Sequence, residues 1–431
     1  MSFPRMLRLR QEFDVQRVED VGTEVMSQLE RLGLGGKVKP GQTVAITAGS
    51  RGIANIATAI RAAAEHFRGL GARPFIVPAM GSHGGGTAEG QREILESYGI
   101  TEEFTGTPIR SSMETVIVAK TEGGLPVHFD RNAYEADHVL VCGRVKPHTG
   151  FVGEIESGLH KMMLIGLGKF EGAKLYHRAI QEYSFSEIIQ AVASVVLEKC
   201  AVVAGLALVE NAYEETALIE AVAPEQFYER EKALLKLAAA WMPRLPFKAA
   251  DLLIIDEIGK NISGSGMDTN VVGRKYNDHK ATDRDSVSCK RIFIRGLTRE
   301  THGNACGIGM AEVTNQRTVD QVNRSATRIN ALTGGHPPAA AIPIAFDTDR
   351  EAVAAALSTV GLVEGKDSKV IHITNTMLVS EVVVSEAYLP EIEGRKDLKI
   401  QEGPADMRFD PEENLFNVAA VPAVADVLER V

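Results

Sequence analysis

Twice near the amino terminus, a short uncharged run rich in β-branched residues stops at a glycine turn and gives way to helical apolar spacing. The first run is TVAITA at 43–48, halted by Gly49-Ser50-Arg51-Gly52 and followed by an Ala-rich stretch from Ile53 to Phe67. The second is FIVPAM, halted by Gly81-Ser82-His83-Gly84-Gly85-Gly86; Thr87 can then cap a helix with Glu89 in its first turn. A parallel strand needs a crossover, and a helix supplies it, so this repetition predicts βαβ units. SMETVIVAK and ADHVLVCGRV read as further strands, the second buried on both faces because its apolar run is continuous.

A chain of 431 residues exceeds what one hydrophobic core usually serves. Helical patterns cover Ser186 to Ala204 and Glu225 to Ala240, and two prolines in Met242-Pro243-Arg244-Leu245-Pro246 then punctuate the chain. DLLIIDEIG follows as a buried strand, with a glycine turn at Gly259–Gly266, the strand KRIFIRGL, a helix near Thr318–Leu332 and the strand SKVIHITN. The expected fold is α/β in two domains, 1–248 and 249–431, each a mostly parallel sheet flanked by helices. The active site is expected in the cleft between them. The terminal VPAVADVLERV reads as a helix placed to pack back on the first domain.

A formal net charge of -10 argues against a nucleic-acid surface. The four cysteines form no CxxC pair, which predicts reduced thiols. With no apolar leader core and no apolar run long enough to span a bilayer, the expected location is the cytoplasm, away from membranes.

In open parallel sheets ligands bind beyond the carboxyl ends of the strands. The loops there deliver Ser50-Arg51, Ser82-His83 and Lys146-Pro147-His148-Thr149-Gly150. His83 stands before a helix amino terminus, where free N–H groups favour anions, although the glycines alone would also make a tight turn. His148 emerges behind a proline as a proton carrier for near-neutral pH. Lys161 lies among Leu159, Met162, Met163, Leu164 and Ile165, where desolvation would favour a nucleophilic amine; an incidental lysine fits the pattern equally. Glycines 158, 166, 168 and 172 interrupt any continuous core helix and suggest backbone closely approached by a ligand.

The pattern PHTGF…GLHK…H, preceded by SRG and GSHGGGT, resembles the lactate racemase family, whose members use the nickel-pincer nucleotide. The resemblance implies that Lys161 tethers the cofactor covalently and that His177, sixteen residues later, ligates nickel. By the same resemblance His83 and His148 are the alternate acid and base, Ser50, Gly84 and Gly85 line the cofactor, and Arg51 anchors a carboxylate or phosphate. The implied function is racemase or epimerase at C2 of a 2-hydroxy acid, by reversible hydride transfer to the tethered cofactor. Cofactor-biosynthesis proteins are implied as partners. In the second domain GSGMDTN matches the family's glycine turn, but Val271-Val272-Gly273-Arg274-Lys275 lacks the family's Gln. Arg274 and Lys275 are the candidates there for substrate binding. Ala48 replaces the family's Asp, and extra residues including Glu154 and Glu156 separate His148 from Lys161. These departures point to a substrate other than lactate, such as a dicarboxylate or sugar acid. Two alternatives keep the fold: a nickel-free protein binding a nucleotide or phosphometabolite, and an NAD-dependent oxidoreductase. GSRGIA, the nearest approach to GxGxxG, counts against the latter.

Overall fold

The computed structural model describes residues 2–50, 52–180 and 182–420. Backbone contacts divide the chain into two compact units, Val15–Met242 and Met1–Asp14 with Pro243–Val431. Arg51 and residues 421–431, with the expected terminal helix, lie outside the described residues.

The Val15–Met242 unit is built on five strands in the order Arg73–Pro78, Thr43–Ala48, His138–Arg144, Val202–Glu210, Thr216–Val222. The first four are parallel and the last returns antiparallel. Side chains alternate between two cores, as the period of a strand requires. Val44, Ile46, Leu140, Cys142 and Leu206 face the helices Val21–Arg31 and Ile56–Gly69. Ala45, Val139, Val141 and Ala207 face Phe185–Lys199 and Phe227–Trp241. Ser184 closes a capping box with Glu187, and Thr87 accepts from the Gly90 N–H at 3.1 Å to start the helix Ala88–Ser97. SMETVIVAK does form a strand, Thr115–Lys120, but in a separate antiparallel hairpin with Pro126–Asp130.

The helix expected to reach Ala204 ends at Lys199, and the strand Val202–Glu210 begins directly behind it. Ala and Gly in VVAGLALVE mask the strand because they mark close packing. A β-carbon on Gly205 would lie 2.5 Å from Leu159 Cδ1 and 2.8 Å from the Phe227 ring.

The second unit carries eight strands, ordered Ile344–Phe346, Val313–Asn315, Ser288–Ile294, Ala249–Ile255, Val370–Ile373, Glu381–Ser385, Arg5–Gln11, Leu398–Asp406. The first five are parallel and the last three antiparallel. The unit boundary therefore lies at 242/243 rather than 248, and the first fourteen residues join the later part of the chain. Met6, Leu7 and Leu9 are buried between partners almost four hundred residues away in sequence, a pairing that no local pattern announces. The helix expected at 318–332 is two pieces, Gln316–Asp320 and Arg324–Thr333, the second capped afresh by Asn323.

In this unit the carboxyl ends of the parallel strands are filled by the chain itself. Arg295, just past Ser288–Ile294, contacts Asp256, Asp349 (2.9 Å), the Leu415 carbonyl and Asn417 (3.0 Å). Asp256 also takes His372 at 2.6 Å and the Val418 N–H at 2.8 Å. Burial pushes the Asp256 carboxyl up, but His372 and Arg295 together hold it below its ordinary value. Residues 415–418 thus occupy the place where such a sheet would take a ligand.

No helix among the described residues is long and apolar enough to cross a membrane, and Cys142, Cys200, Cys289 and Cys306 are buried free thiols. Replacing Arg295 with Met would leave Asp256 and Asp349 facing each other without their shared cation. A loss of about 3–5 kcal/mol in folding stability is expected, checked by denaturant unfolding followed by tryptophan-independent far-UV dichroism. A loss below about 1 kcal/mol would show the network to be dispensable.

Candidate functional site

The loops at the carboxyl edge of the five-stranded sheet are held by residues from neighbouring strands. Arg144 and Glu210, at the ends of adjacent strands, form an ion pair that grips the first loop. Arg144 donates to the Gly52 carbonyl at 3.2 Å, and Glu210 accepts from the Ala54 N–H at 2.7 Å. On the same loop the Ser50 carbonyl accepts from the Tyr98 hydroxyl at 3.1 Å. The Ser50 hydroxyl meets His83 Nδ1 in a short hydrogen bond, so the first two glycine loops join through these side chains.

His83 introduces three successive glycines with φ between 66° and 67°. At Gly84 the requirement is absolute: a β-carbon would sit 2.5 Å from the Gly90 carbonyl carbon. The loop folds against the first turn of the helix Ala88–Ser97, whose Gln91 is wholly buried. Gln91 Nε2 donates to the carbonyls of Gly81 (2.8 Å) and His83 (3.3 Å). Its Oε1 accepts from Lys169 Nζ at 3.2 Å. Lys169 also donates to the Pro78 carbonyl at 2.5 Å and pairs with Asp130 at 3.1 Å, both side chains fully buried. Burial pushes the Lys169 ammonium below, and the Asp130 carboxyl above, its ordinary value, and the opposite charge of the partner works against each shift. Lys169 is held at φ 53°, a left-handed conformation that costs a non-glycine residue about 1–2 kcal/mol and persists only where surroundings enforce it.

The third loop closes on itself. Lys146 and Ser157 exchange hydrogen bonds of 2.7 and 2.6 Å, and buried Glu156 accepts from the His148 N–H at 2.8 Å. The residues inserted between His148 and Lys161 thus complete the turn. His148 Nδ1 accepts from the Gly150 and Phe151 N–H groups, both at 3.0 Å. The neutral ring therefore carries its proton on Nε2.

Phe151 is where the predicted residues meet. Its ring stacks on His148 at 4.1 Å and on Phe185 at 4.2 Å. Lys161 Nζ lies 5.6 Å from its centroid, and the His177 ring 6.3 Å. Burial, and then the positive charge of Lys161, lower the His177 pKa, so the imidazole is neutral at pH 7. Lys161 and His177 lie on one broken helical stretch: Gly158–Lys161, a π-helical turn Met162–Gly166, then Lys169–Ala179. This stretch runs over the strand ends. A β-carbon on Gly143 would lie 2.7 Å from Met162 Cγ, and one on Gly81 would lie 3.0 Å from Ile165 Cγ2. Gly166 faces the Ala79 carbonyl and Gly158 faces Glu231, so these glycines admit the chain's own groups, where a ligand had been expected.

Residues 38–187 match the family model described as lactate racemase N-terminal domain. This region of the chain is lactate racemase-like. Among solved structures, the lactate racemase apoprotein from Thermoanaerobacterium thermosaccharolyticum is similar in fold, with a TM-score of 0.53 and 14% identity over 86% of this chain and 94% of that one. No curated protein matches the sequence.

Within the lactate racemase-like region, His148, Lys161 and His177 are brought around one ring, and Ser50 is brought to His83. Gly85 has open space where a β-carbon would stand, so it alone of the pair Gly84 and Gly85 leaves room beside the loop. Arg274 and Lys275 belong to the other unit. The Arg274 side chain is fully buried and paired with Glu312 at 3.3 Å, a core position that withholds it from a soluble substrate. Lys275 is half-buried, its N–H donating to Asp285 at 3.3 Å. Sequence reasoning missed Phe151, Gln91, Lys169 and the Arg144–Glu210 clamp. Only Phe151 had a local signal, as part of PHTGF.

In metal-free protein the His177 midpoint should lie below about 6.5, because protonation is opposed in the folded state. The stability this group contributes is present above that value and lost as pH falls through the lowered one. Lys161→Ala should move the midpoint up part of the way, burial remaining, as read by histidine NMR titration. An unmoved midpoint would show that the two side chains do not sense each other.

Proposed function

We propose that the protein is a racemase or epimerase acting at C2 of a 2-hydroxy acid other than lactate, with a lysine-tethered nickel-pincer nucleotide as cofactor. The observation that carries this reading is the placement of an amine and a neutral imidazole beside one aromatic ring, with a second histidine stacked on it. That donor set fits the cofactor. Lys161 offers the amine for the covalent link, and His177, kept neutral by burial, offers a lone pair to a borderline metal such as nickel. When bound, the cofactor supplies a reversible acceptor for the C2 hydride.

The chain's own residues handle the proton. Loss of hydride from C2 leaves a keto acid only if the 2-hydroxyl gives up its proton, and its return needs a donor on the other face. His148 starts with its proton on Nε2 because two backbone N–H groups occupy Nδ1. His83 shares Nδ1 with a hydroxyl that can either donate or accept, so its Nε2 can present a lone pair or a proton. The two histidines therefore begin in unlike hydrogen-bond settings. Arg51 is the proposed anchor for the substrate carboxylate. The absent Gln, and Ala48 in place of Asp, support a substrate other than lactate.

Protein made together with the cofactor-assembly enzymes should contain nickel and carry a mass increment on the intact chain. His177→Ala should lose the nickel and Lys161→Ala the increment. His83→Gln and His148→Gln should each lower turnover about 10²–10⁴-fold in a racemisation screen across 2-hydroxy acids, with unfolding midpoints unchanged. Nickel retained in His177→Ala would overturn His177 as the ligand, and wild-type protein without nickel, increment or racemisation would overturn the reading in favour of a nickel-free binding protein.

A further inference from the structure

Gln91 and Lys169 belong to no part of the chemistry above, yet both side chains are wholly buried and bonded to each other. The ammonium has three protons and three oxygen partners: the Pro78 carbonyl, Asp130 and Gln91 Oε1. An ammonium cannot accept a hydrogen bond, so Gln91 must turn its oxygen towards Lys169 and its amide protons away. Those protons fall on the carbonyls of Gly81 and His83, on either side of Ser82. The His83 N–H is itself bonded back to the Met80 carbonyl at 3.2 Å. Both ends of the His83 peptide are thereby fixed, and the side chain leaves the loop towards Ser50.

We propose that Gln91, oriented by the buried ammonium of Lys169, is a positioning residue for His83: it fixes the loop that aims the imidazole at the substrate oxygen. This rests on the reading of His83 as an acid–base group. The strained φ of Lys169 belongs to the same device, since a regular helical start would carry its amine away from Pro78 and Gln91.

The test uses Gln91→Glu. One carboxylate oxygen still accepts from Lys169, more strongly than the amide did, so the buried charge keeps its partner and the protein folds. The other oxygen has no proton to give the Gly81 and His83 carbonyls. Ring nitrogen resonances are followed in protein labelled with [¹⁵N]histidine, assigned by His83→Gln and His148→Gln. Ser50→Ala marks the His83 Nδ1 shift when its hydrogen bond is lost. In Gln91→Glu the His83 signal should move to that Ser50→Ala position while His148 stays at its wild-type shift. On cofactor-loaded protein kcat should fall at least tenfold with KM changed less than twofold. Lys169→Met should give the same His83 shift where it folds; if it does not fold, Gln91→Glu decides alone. A wild-type His83 signal in folded Gln91→Glu overturns the proposal. Movement of the signal in a protein whose wild type racemises nothing upholds the positioning and overturns the function.

Discussion

An ammonium removed from water keeps its charge only where each proton finds an oxygen, and Lys169 meets that condition with Pro78, Gln91 and Asp130. The consequences spread in two directions. Asp130 ends the hairpin strand Pro126–Asp130 and caps the turn behind it through the Ala133 N–H at 2.8 Å, so the small sheet is tied to the larger one. Gln91 ties in the loop that bears His83. Lys169 also sets where the helix Lys169–Ala179 begins, and with it the position of His177. A single desolvated charge thus governs groups that are far apart in sequence.

The two units treat the carboxyl ends of their strands differently, and the difference is one of packing. In the Val15–Met242 unit, glycines at 49, 81, 143 and 166 let a helical stretch lie directly over the strand ends, leaving loop side chains around it. A π-helical turn in that stretch, Met162–Gly166, follows Lys161 at once; such turns are uncommon and recur at functional sites. In the other unit, Asp256, Arg295 and Asn315 sit at equivalent strand ends but bind residues 415–418 and Asp349. Charged residues at a sheet's carboxyl edge are therefore no mark of a ligand site by themselves. In the first unit, by contrast, His148 Nδ1 takes two backbone N–H groups and His83 Nδ1 meets a hydroxyl.

What was legible in the sequence is what local order specifies. Strand, glycine turn and helix could be read at 43–69 and 73–97 because each signal lies within a few residues of its effect. The spacing from Lys161 to His177 was legible through resemblance, and the structure brings both residues to Phe151. Long-range pairing was not legible. Arg5–Gln11 alternates well enough for a strand, but its partners at Glu381–Ser385 and Leu398–Asp406 decide which unit it joins. Nothing local to Gln91 or Lys169 announces their burial, because it depends on Asp130 arriving from another hairpin. Arg274 failed in the opposite sense: its place after a glycine turn looked exposed, whereas Glu312 draws it inside.

The same limit explains why two histidines that look alike in sequence differ in chemistry. Both follow a buried strand and both have a glycine within two residues, yet the turn after His148 points two N–H groups at Nδ1, whereas His83 meets a hydroxyl. Protonating His148 on Nδ1 would displace both backbone donors, so its neutral, Nε2–H form is favoured by two hydrogen bonds. At Nδ1 of His83, Ser50 can meet a proton by rotating its O–H, since a hydroxyl accepts as readily as it donates. Of the two rings, the one with the rotatable partner at Nδ1 can therefore change state there more cheaply. The asymmetry between the two rings is therefore built into Ser50 and the 149–151 turn, which meet the histidines at Nδ1.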